Sequence, residues 1–381
     1  MKQLRNFRLR NPLPGRAYLA EFRRELTSQL APQESQAIGM VMSRNSSSIK
    51  LSALALTLPL SVIFSAPSAY AGTNPGSVLI VHDYYDYAPS IINDGQMQRF
   101  WWCGYGPRPD GTMTDAIFYR SYDIANNSWS DIKQVFTPTL GSAWDQRHVC
   151  DPSVVQGSFT NPEDGATYQY AMYYGSTNQD DGTNGRIGVA YSNDGVKWTR
   201  YDRQLIVPQQ DPTTYYGAGQ PAVHNLDGKS SIRMFHYDNS HPVHGPRIWI
   251  RESSDGVNFS APTLVTNTGL PHASMQNVDF AYDPATKHYY AAISYEARPG
   301  DRETYGFGIY RIVADQLLQG NGAWENLGVV SNETTGSYLN HSPGFMKDVY
   351  GNVSGQLLSI GYTQGANDPN TWDLALATWA P

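Results

Sequence analysis

Acidic side chains lie beside short, aromatic-rich strands in this chain, where they could carry out acid–base chemistry. Asp86, Asp151 and Asp279 lie at or near strand starts, and Asp238 and Glu296 lie at strand ends. Two carboxyl groups that converge on a cleft can cleave a glycosidic bond, because one protonates the leaving oxygen while the other activates water or attacks the anomeric carbon. Repulsion between the two raises the pKa of one and leaves the other ionised. The alternative interpretation is that these aspartates only form turns.

The acidic residues belong to a repeated unit of roughly sixty residues, a period typical of β-sheet arrays. The first strands of the five copies begin at Ala88, Asp151, Gln220, Asp279 and Ser342. An aromatic-rich second strand and an alternating third strand follow in each copy. Two third strands lead into the turns Asp194-Gly195 and Asp255-Gly256, and Asp-Gly is a hairpin signal because both residues must tolerate positive φ.

Five antiparallel sheets of this size predict an all-β chain folded as a five-bladed β-propeller. A β-sandwich or a β-solenoid is the alternative, although a solenoid would need a shorter period. In a propeller the first strands line a central channel, and successive strands alternate in direction. The starts of first strands and the ends of second strands therefore meet at one end of the channel. The residues predicted at this end are Asp86, Asp151, Gln220, Asp238, Asp279, Glu296 and His341.

The first 71 residues resemble a leader and secretory signal. The apolar run Leu51 to Ala66 follows a polar stretch with Arg44 and Lys50 and precedes Ala69-Tyr70-Ala71, a small-x-small cleavage site. The run is shorter than the ~20 apolar residues that span a bilayer. We expect cleavage after Ala71, secretion, and a single propeller domain over residues 72–381. Residues 1–41 are an overlong leader or follow a start codon assigned too early.

The mature chain is strongly acidic. The first 71 residues contain nine of the 27 Lys and Arg and three of the 34 Asp and Glu, which leaves 18 basic and 31 acidic groups and a net charge of −13. Duplex nucleic acid and anionic membranes both favour clusters of Lys and Arg. We therefore expect a monomer that binds a neutral carbohydrate and neither nucleic acid nor membrane.

The two cysteines, Cys103 and Cys150, suit one disulfide in an oxidising compartment. The alternative is that both are small buried apolar residues. Zinc-ligand His/Cys spacing, a phosphate-binding loop and a Gly-x-Ser-x-Gly elbow are not found in the sequence, which argues against a zinc hydrolase or a serine esterase.

The five units, with Asp-Pro opening an inner strand and Ser-x-Asp-Gly-x-x-Trp turns, resemble the superfamily of five-bladed propeller glycosidases. This superfamily includes arabinanases, β-xylosidases, invertases and levansucrases, and the resemblance covers essentially the whole mature chain. It implies an Asp base or nucleophile, a second Asp that orients the substrate, and a Glu acid, each near an inner-strand start. Asp151, in Cys150-Asp151-Pro152, matches the second of these.

The other two positions depart from the family pattern. Ala88 and Gln220 stand where the base and the acid belong, and Gln cannot deliver a proton. We therefore assign the base or nucleophile to Asp86, on the same side of the strand two residues earlier. The acid is assigned to Glu296, with Asp238 as second choice.

Further residues are assigned to substrate or metal. The predicted substrate contacts are Trp144, His148, Gln220, Asp238, Asp279 and Arg298. His341 corresponds to the channel histidine that, in several members, helps to hold a calcium ion or its waters. The resemblance requires no cofactor and allows a structural calcium there. Because Ala88 and Gln220 break the pattern, a sugar-binding propeller without catalysis remains an alternative, as does a structural or adhesion propeller.

Overall fold

The structure is a computed structural model that describes residues 74–82, 85–142, 144–210, 216–241, 243–244, 247–270, 276–296, 305–366 and 372–380. For 74–78, Gln276, Tyr295, Glu296 and Tyr305 it describes the backbone only. The predicted leader and cleavage site lie outside the described residues. Arg298 and the side chain of Glu296 also lie outside them.

The described chain is almost entirely β-structure. Its strands are β1 (Asn74–Ile80), β2 (Asp86–Asn93), β3 (Met97–Pro107), β4 (Met113–Asp123), β5 (Ser128–Trp129), β6 (Lys133–Phe136), β7 (His148–Thr160), β8 (Thr167–Thr177), β9 (Arg186–Ser192), β10 (Thr199–Arg200), β11 (Ala218–Asn225), β12 (Ile232–Asp238), β13 (Arg247–Ser253), β14 (Thr263–Leu264), β15 (Gln276–Asp283), β16 (His288–Glu296), β17 (Tyr305–Val313), β18 (Glu325–Val330), β19 (Leu339–Lys347), β20 (Leu358–Gly365) and β21 (Asp373–Trp379). Two short helices are α1 (Ala314–Leu318) and α2 (Asn332–Thr335). Neither is long or apolar enough to cross a membrane.

The strands form five antiparallel sheets arranged in a ring. The sheets begin at β2, β7, β11, β15 and β19, and each of these first strands contacts the first strand of the next sheet. β19 also pairs in parallel with β2, which completes the circle. The first described strand, β1, pairs with the last, β21, and forms the outer strand of the fifth sheet, so strands from both ends of the described chain close the ring together. The predicted β-propeller fold is confirmed.

Aromatic side chains fill the space between neighbouring sheets. Phe235 stacks on Phe280 of the following sheet with ring centroids 4.1 Å apart. The Trp101 indole N–H donates to the carbonyl of Gly195 at 2.8 Å, and the Tyr173 hydroxyl donates to the carbonyl of Gly256 at 2.8 Å. The two Asp-Gly turns recognised in the sequence therefore each accept a hydrogen bond from a buried aromatic residue of the preceding sheet. This satisfies a polar group that burial would otherwise penalise.

Every first strand has one non-glycine residue with positive φ at the same place. These residues are Ala88 (φ 49°), Asp151 (47°), Gln220 (51°), Asn277 (43°) and Ser342 (48°). The pairing with the second strand breaks at each of them, which is the signature of a β-bulge. We call these five residues the bulge column. The sequence alignment of the fourth copy was wrong by two residues, because Asn277 and not Asp279 occupies the column.

One end of the channel is crossed by the segment 348–353, which follows β19. The backbone N–H groups of Gln156 and Asn225 donate to carbonyl oxygens of this segment at 2.7 and 2.8 Å, and the N–H of Val353 donates to the carbonyl of Tyr282 at 2.8 Å. These partners lie at or near the far ends of three first strands. The opposite end, where the first strands begin, is therefore the natural place for a ligand, and we call it the mouth.

The contact between β19 and β2 leaves no room for a side chain at Gly344. A Cβ added there would lie 1.9 Å from the carbonyl oxygen of Pro89. We predict that Gly344→Ala lowers the free energy of unfolding by about 3 kcal/mol, because the ring can close only if the two strands separate. Gly111→Ala is the control, since its Cβ would meet open space and only the positive φ costs about 1 kcal/mol. Equal losses in urea unfolding would contradict the prediction.

Candidate functional site

The bulge column turns polar side chains toward the backbone of the next sheet. The N–H of Gln220 donates to the carboxylate of Asp151. The N–H of Asn277 donates to Gln220 Oε1 at 2.8 Å, and Gln220 Nε2 donates to Asn277 Oδ1 at 3.0 Å. Gln220, predicted to bind substrate, is thus one link in a chain of hydrogen bonds around the mouth.

Two carboxyl groups lie close together at the boundary between the first and second sheets. Asp151 is half-buried at the start of β7, and the Tyr216 hydroxyl donates to its Oδ2 at 3.2 Å. Asp115, near the start of β4, accepts a hydrogen bond from the Tyr85 hydroxyl and lies 3.1 Å from Nδ1 of His148. Its side chain is 18% exposed, so it remains accessible from the mouth.

The surroundings of Asp151 raise its pKa, so that the carboxyl group keeps its proton up to near-neutral pH. Burial raises the pKa of Asp151 to about 7, and the negative charge of Asp115 adds to the rise, although hydrogen bonds from Tyr216 and the Gln220 N–H oppose it. Burial alone would lower the pKa of His148, but its hydrogen bond to Asp115 and the nearby charges raise it above the ordinary value. The pair therefore combines a carboxylic acid that can donate a proton with a carboxylate fixed by two donors.

Aromatic rings line the side of the mouth next to Asp115. The ring centroid of Tyr85 lies 5.4 Å from that of Tyr105 and 6.3 Å from that of Trp372. Trp372, just before β21, also contacts Tyr87 at 6.5 Å and His341 at 4.7 Å. Rings of this kind present apolar faces with polar edges, a surface suited to a sugar ring.

Asp86 lies in the interior and not on the surface of the mouth. Its side chain is 0% exposed and accepts a hydrogen bond from the Trp102 indole N–H at 2.6 Å, while Oδ2 has no hydrogen-bond partner among the described residues. Burial raises its pKa to about 8 against the lowering effect of the Trp102 hydrogen bond, and the charge of Asp373 raises it further. The assignment of Asp86 as base stays a prediction, and the geometry favours Asp115 for that role.

Two other predicted carboxylates hold the fold together. The Asp279 carboxylate accepts the N–H of Phe345 at 2.8 Å and binds Lys347 Nζ at 2.6 Å, which ties the fourth sheet to the fifth. Asp279 lies two residues after the bulge in its strand, as Ser90 does in β2. The Ser90 hydroxyl likewise accepts a backbone N–H of the following sheet, that of Val154, at 3.0 Å. Asp238 is fully buried and accepts hydrogen bonds from the N–H and the hydroxyl of Ser240 at 2.7 and 2.6 Å. These bonds give both carboxylates structural roles, and their contact with substrate stays a prediction.

Two predicted ligand contacts have partners within the protein. Trp144 is 6% exposed and stacks on Tyr174 at 5.9 Å, so its burial disfavours the predicted contact with a ligand, which stays a prediction. His148 is close to the site, but its Nδ1 faces Asp115 and the Thr114 hydroxyl, 3.2 Å away. These contacts occupy Nδ1, and direct contact of His148 with substrate stays a prediction.

His341 is a neutral histidine in the mouth. Burial lowers its pKa to about 3; Nδ1 lies 2.9 Å from the Ser342 hydroxyl, and the buried Nε2 has no hydrogen-bond partner in the part of the chain that the structure describes. Calcium prefers six to eight oxygen ligands, usually with carboxylates among them. Among the described residues, no group of three potential ligands includes His341; the one such group is Cys103, Cys150 and Asp115, whose sulfurs form a disulfide. A structural calcium in the channel stays a prediction.

Sequence reasoning missed Asp115, Tyr85, Tyr216 and Trp372. Asp115 had a usable signal, because third strands run in the same direction as first strands and also begin on the mouth side. Tyr216 and Trp372 come from connections before β11 and β21, and no periodic pattern indicates where such residues point. Glu296 ends β16 opposite Tyr305, and its role as acid stays a prediction.

Several solved structures share this fold. A structure described as a glycoside hydrolase is 12% identical, with a TM-score of 0.55 over 82% of this chain and 92% of its own. Zg3597, a family 117 glycoside hydrolase of the marine bacterium Zobellia galactanivorans, is 12% identical, with a TM-score of 0.55 over 82% and 90%. A glycosyl hydrolase from Bacteroides ovatus is 13% identical, with a TM-score of 0.51 over 82% and 95%.

No protein-family model and no curated protein matches the chain. The chain therefore shares its fold with propeller glycoside hydrolases, as the resemblance of the repeats implied. Identities this low establish the fold alone.

The buried Asp86 predicts a stability that falls with pH. Its pKa is about 8 in the folded state, against the ordinary 3.8. Between these two pH values the folded state therefore binds more protons than the unfolded state. The free energy of unfolding consequently decreases as pH rises through this window. At ~1.4 kcal/mol per pKa unit the loss amounts to several kcal/mol. We expect Asp86→Asn to flatten this decrease in urea unfolding measured from pH 4.5 to 8. The exposed Asp315→Asn is the control, and an equal slope in wild type and Asp86→Asn would refute the prediction.

Proposed function

We propose that the protein is a secreted glycoside hydrolase that cleaves a neutral polysaccharide or oligosaccharide at the mouth of the propeller. The observation that carries this proposal is the pair Asp115 and Asp151, in which burial, and to a lesser extent the charge of Asp115, raises the pKa of Asp151 to about 7. The fold, shared with glycoside hydrolases, supports it. The disulfide Cys103–Cys150 supports export to an oxidising compartment.

Each carboxyl group has a role in the proposed reaction. Asp151 donates its proton to the glycosidic oxygen as the bond to the leaving group breaks. Asp115, held by the Tyr85 hydroxyl and His148, activates water or attacks the anomeric carbon. These roles differ from the assignment made from the sequence, in which Asp86 is the base or nucleophile, Asp151 orients the substrate and Glu296 is the acid.

The proposed substrate is uncharged. Asp115 and Asp151 both lie where the substrate must bind, and the chain outside the leader carries a net charge of −13. An anionic sugar would be repelled, whereas a neutral ring can pack against the partly exposed Tyr87 and Trp372. Arabinan, xylan and fructan are the neutral polymers to test first.

A sugar-binding propeller without catalysis is the second candidate. It is favoured by Ala88 and Gln220, which occupy two positions of the bulge column and cannot act as acid or base. Both candidates predict carbohydrate binding at the mouth, so they differ only in whether a bond is broken.

Replacing the proposed proton donor tests the proposal directly. We predict that Asp151→Asn lowers kcat on the best substrate among aryl glycosides, arabinan, xylan and fructan by about 10²- to 10⁴-fold, while binding is kept. Asp315→Asn, an exposed site on α1, is the matched control. Full activity in Asp151→Asn together with loss of activity in Glu296→Gln would assign the role of general acid to Glu296. Binding without cleavage of any substrate would favour the second candidate.

Tyr216 provides a test of the protonation state. Because Asp151 must be protonated, activity should fall as pH rises through about 7. The Tyr216 hydrogen bond lowers the pKa of Asp151, so Tyr216→Phe should move this alkaline limb of the kcat/KM profile to higher pH. Tyr350→Phe, at the opposite end of the channel, should leave the limb unchanged. A limb that stays in place or moves to lower pH in Tyr216→Phe would show that Asp151 is not the titrating acid.

A further inference from the structure

The disulfide Cys103–Cys150 crosses the boundary between the first and second sheets beside both carboxyl groups of the mouth. Cys103 lies in β3 and Cys150 in β7, immediately before Asp151. One carboxylate oxygen of Asp115 and the two sulfur atoms all lie within 4.8 Å of one another. The one covalent link that the chain's two cysteines can form is therefore placed next to the proposed reaction centre.

Neighbouring contacts anchor the disulfide in the mouth. Cys103 is 0% exposed and Cys150 is 8% exposed. The Tyr87 hydroxyl donates to Cys150 Sγ at 2.8 Å, and Tyr87 in turn contacts Trp372. The disulfide thus contacts Tyr87 in the aromatic part of the mouth and lies within 4.8 Å of an oxygen of Asp115.

We propose that this disulfide is a positioning element that fixes the separation between Asp115 in the first sheet and Asp151 in the second. The inference rests on the proposed function for its catalytic meaning, although the geometry can be tested without substrate. The two carboxyl groups belong to different sheets, and sheets in a propeller meet only through side chains and a few hydrogen bonds. A small widening of this boundary would weaken the interaction between the two charges, which falls with distance, and would misplace both groups relative to a bound sugar.

The first experiment measures the coupling between the two carboxyl groups. In the purified protein labelled with ¹³C at aspartate carboxyl carbons, the Asp151 titration is followed by NMR, with Asp151→Asn to assign the signal. Asp115→Asn should lower the titration midpoint of Asp151, because it removes a charge that raises it. The same substitution is then made in Cys103→Ser/Cys150→Ser. We expect the shift to be less than half as large without the disulfide.

A matched control separates positioning from general stability. Ser90 Oγ accepts the N–H of Val154 across the same boundary, deeper in the channel. Ser90→Ala should lower the unfolding temperature, yet Asp115→Asn should still shift the Asp151 titration by its full amount in that background. An undiminished shift in the cysteine-free protein would overturn the proposal.

Reduction of the wild-type protein gives a second test if the cysteine-free variant does not fold. Dithiothreitol would convert Cys103 and Cys150 to thiols and become its own cyclic disulfide. We expect the reduced protein to keep its far-ultraviolet circular dichroism while the Asp151 midpoint falls, and kcat to fall about tenfold. A reduced protein with an unchanged midpoint and unchanged kcat would refute the inference. If no glycoside is cleaved by the oxidised protein but the NMR coupling depends on the disulfide, the proposed function fails and the positioning role stands.

Discussion

The mouth depends on the β-bulge near the start of each first strand, where one residue adopts a left-handed backbone conformation. A non-glycine residue at positive φ costs about 1 kcal/mol or more, and the chain accepts this cost five times at equivalent positions. The bulge interrupts the pairing with the second strand, and at Asp151 and Gln220 it turns a polar side chain toward the next sheet. Asp151 and Gln220 thereby accept hydrogen bonds from the backbone of their neighbours. The same geometry thus joins the sheets and places a carboxyl group at the mouth.

The chemistry of the mouth depends on which buried carboxyl groups have no cationic side chain beside them. Asp279 is paired with Lys347, and the fully buried Asp145 is paired with Arg200, whose charge opposes the rise in the pKa of Asp145 that burial causes. Asp151 has only neutral donors and a negative neighbour, so its proton affinity increases. A carboxyl group in such surroundings can exchange a proton near neutral pH. The difference between a structural and a reactive aspartate lies in these partners.

The boundary between the first and second sheets concentrates most of these features. It contains the Asp115 and Asp151 pair, the His148 contact to Asp115 and the disulfide. In the first, second and fourth sheets, a Ser or Asp two residues after the bulge bonds the next first strand, and Gly344 replaces it where the fifth sheet approaches the first. The ring is therefore held by a repeated contact between a side chain and the backbone of the next sheet. The boundary between the first and second sheets adds the carboxyl pair and the disulfide to this contact.

The sequence by itself determined the repeated sheet, the Asp-Gly turns and the disulfide, because each depends on local patterns or on a pair of residues without alternatives. It also indicated Asp151, since Asp-Pro marks the bulge directly. The fourth copy was misaligned because Asn277 lacks the following proline, and only the backbone conformation shows that it occupies the column. Asp86 and Trp144 have suitable residue types for a site, yet tertiary packing buries both. The pairing of Asp115 with Asp151 joins strands from two sheets, and it was decided by the tertiary structure because the closure of the ring, not the spacing along the chain, brings them together.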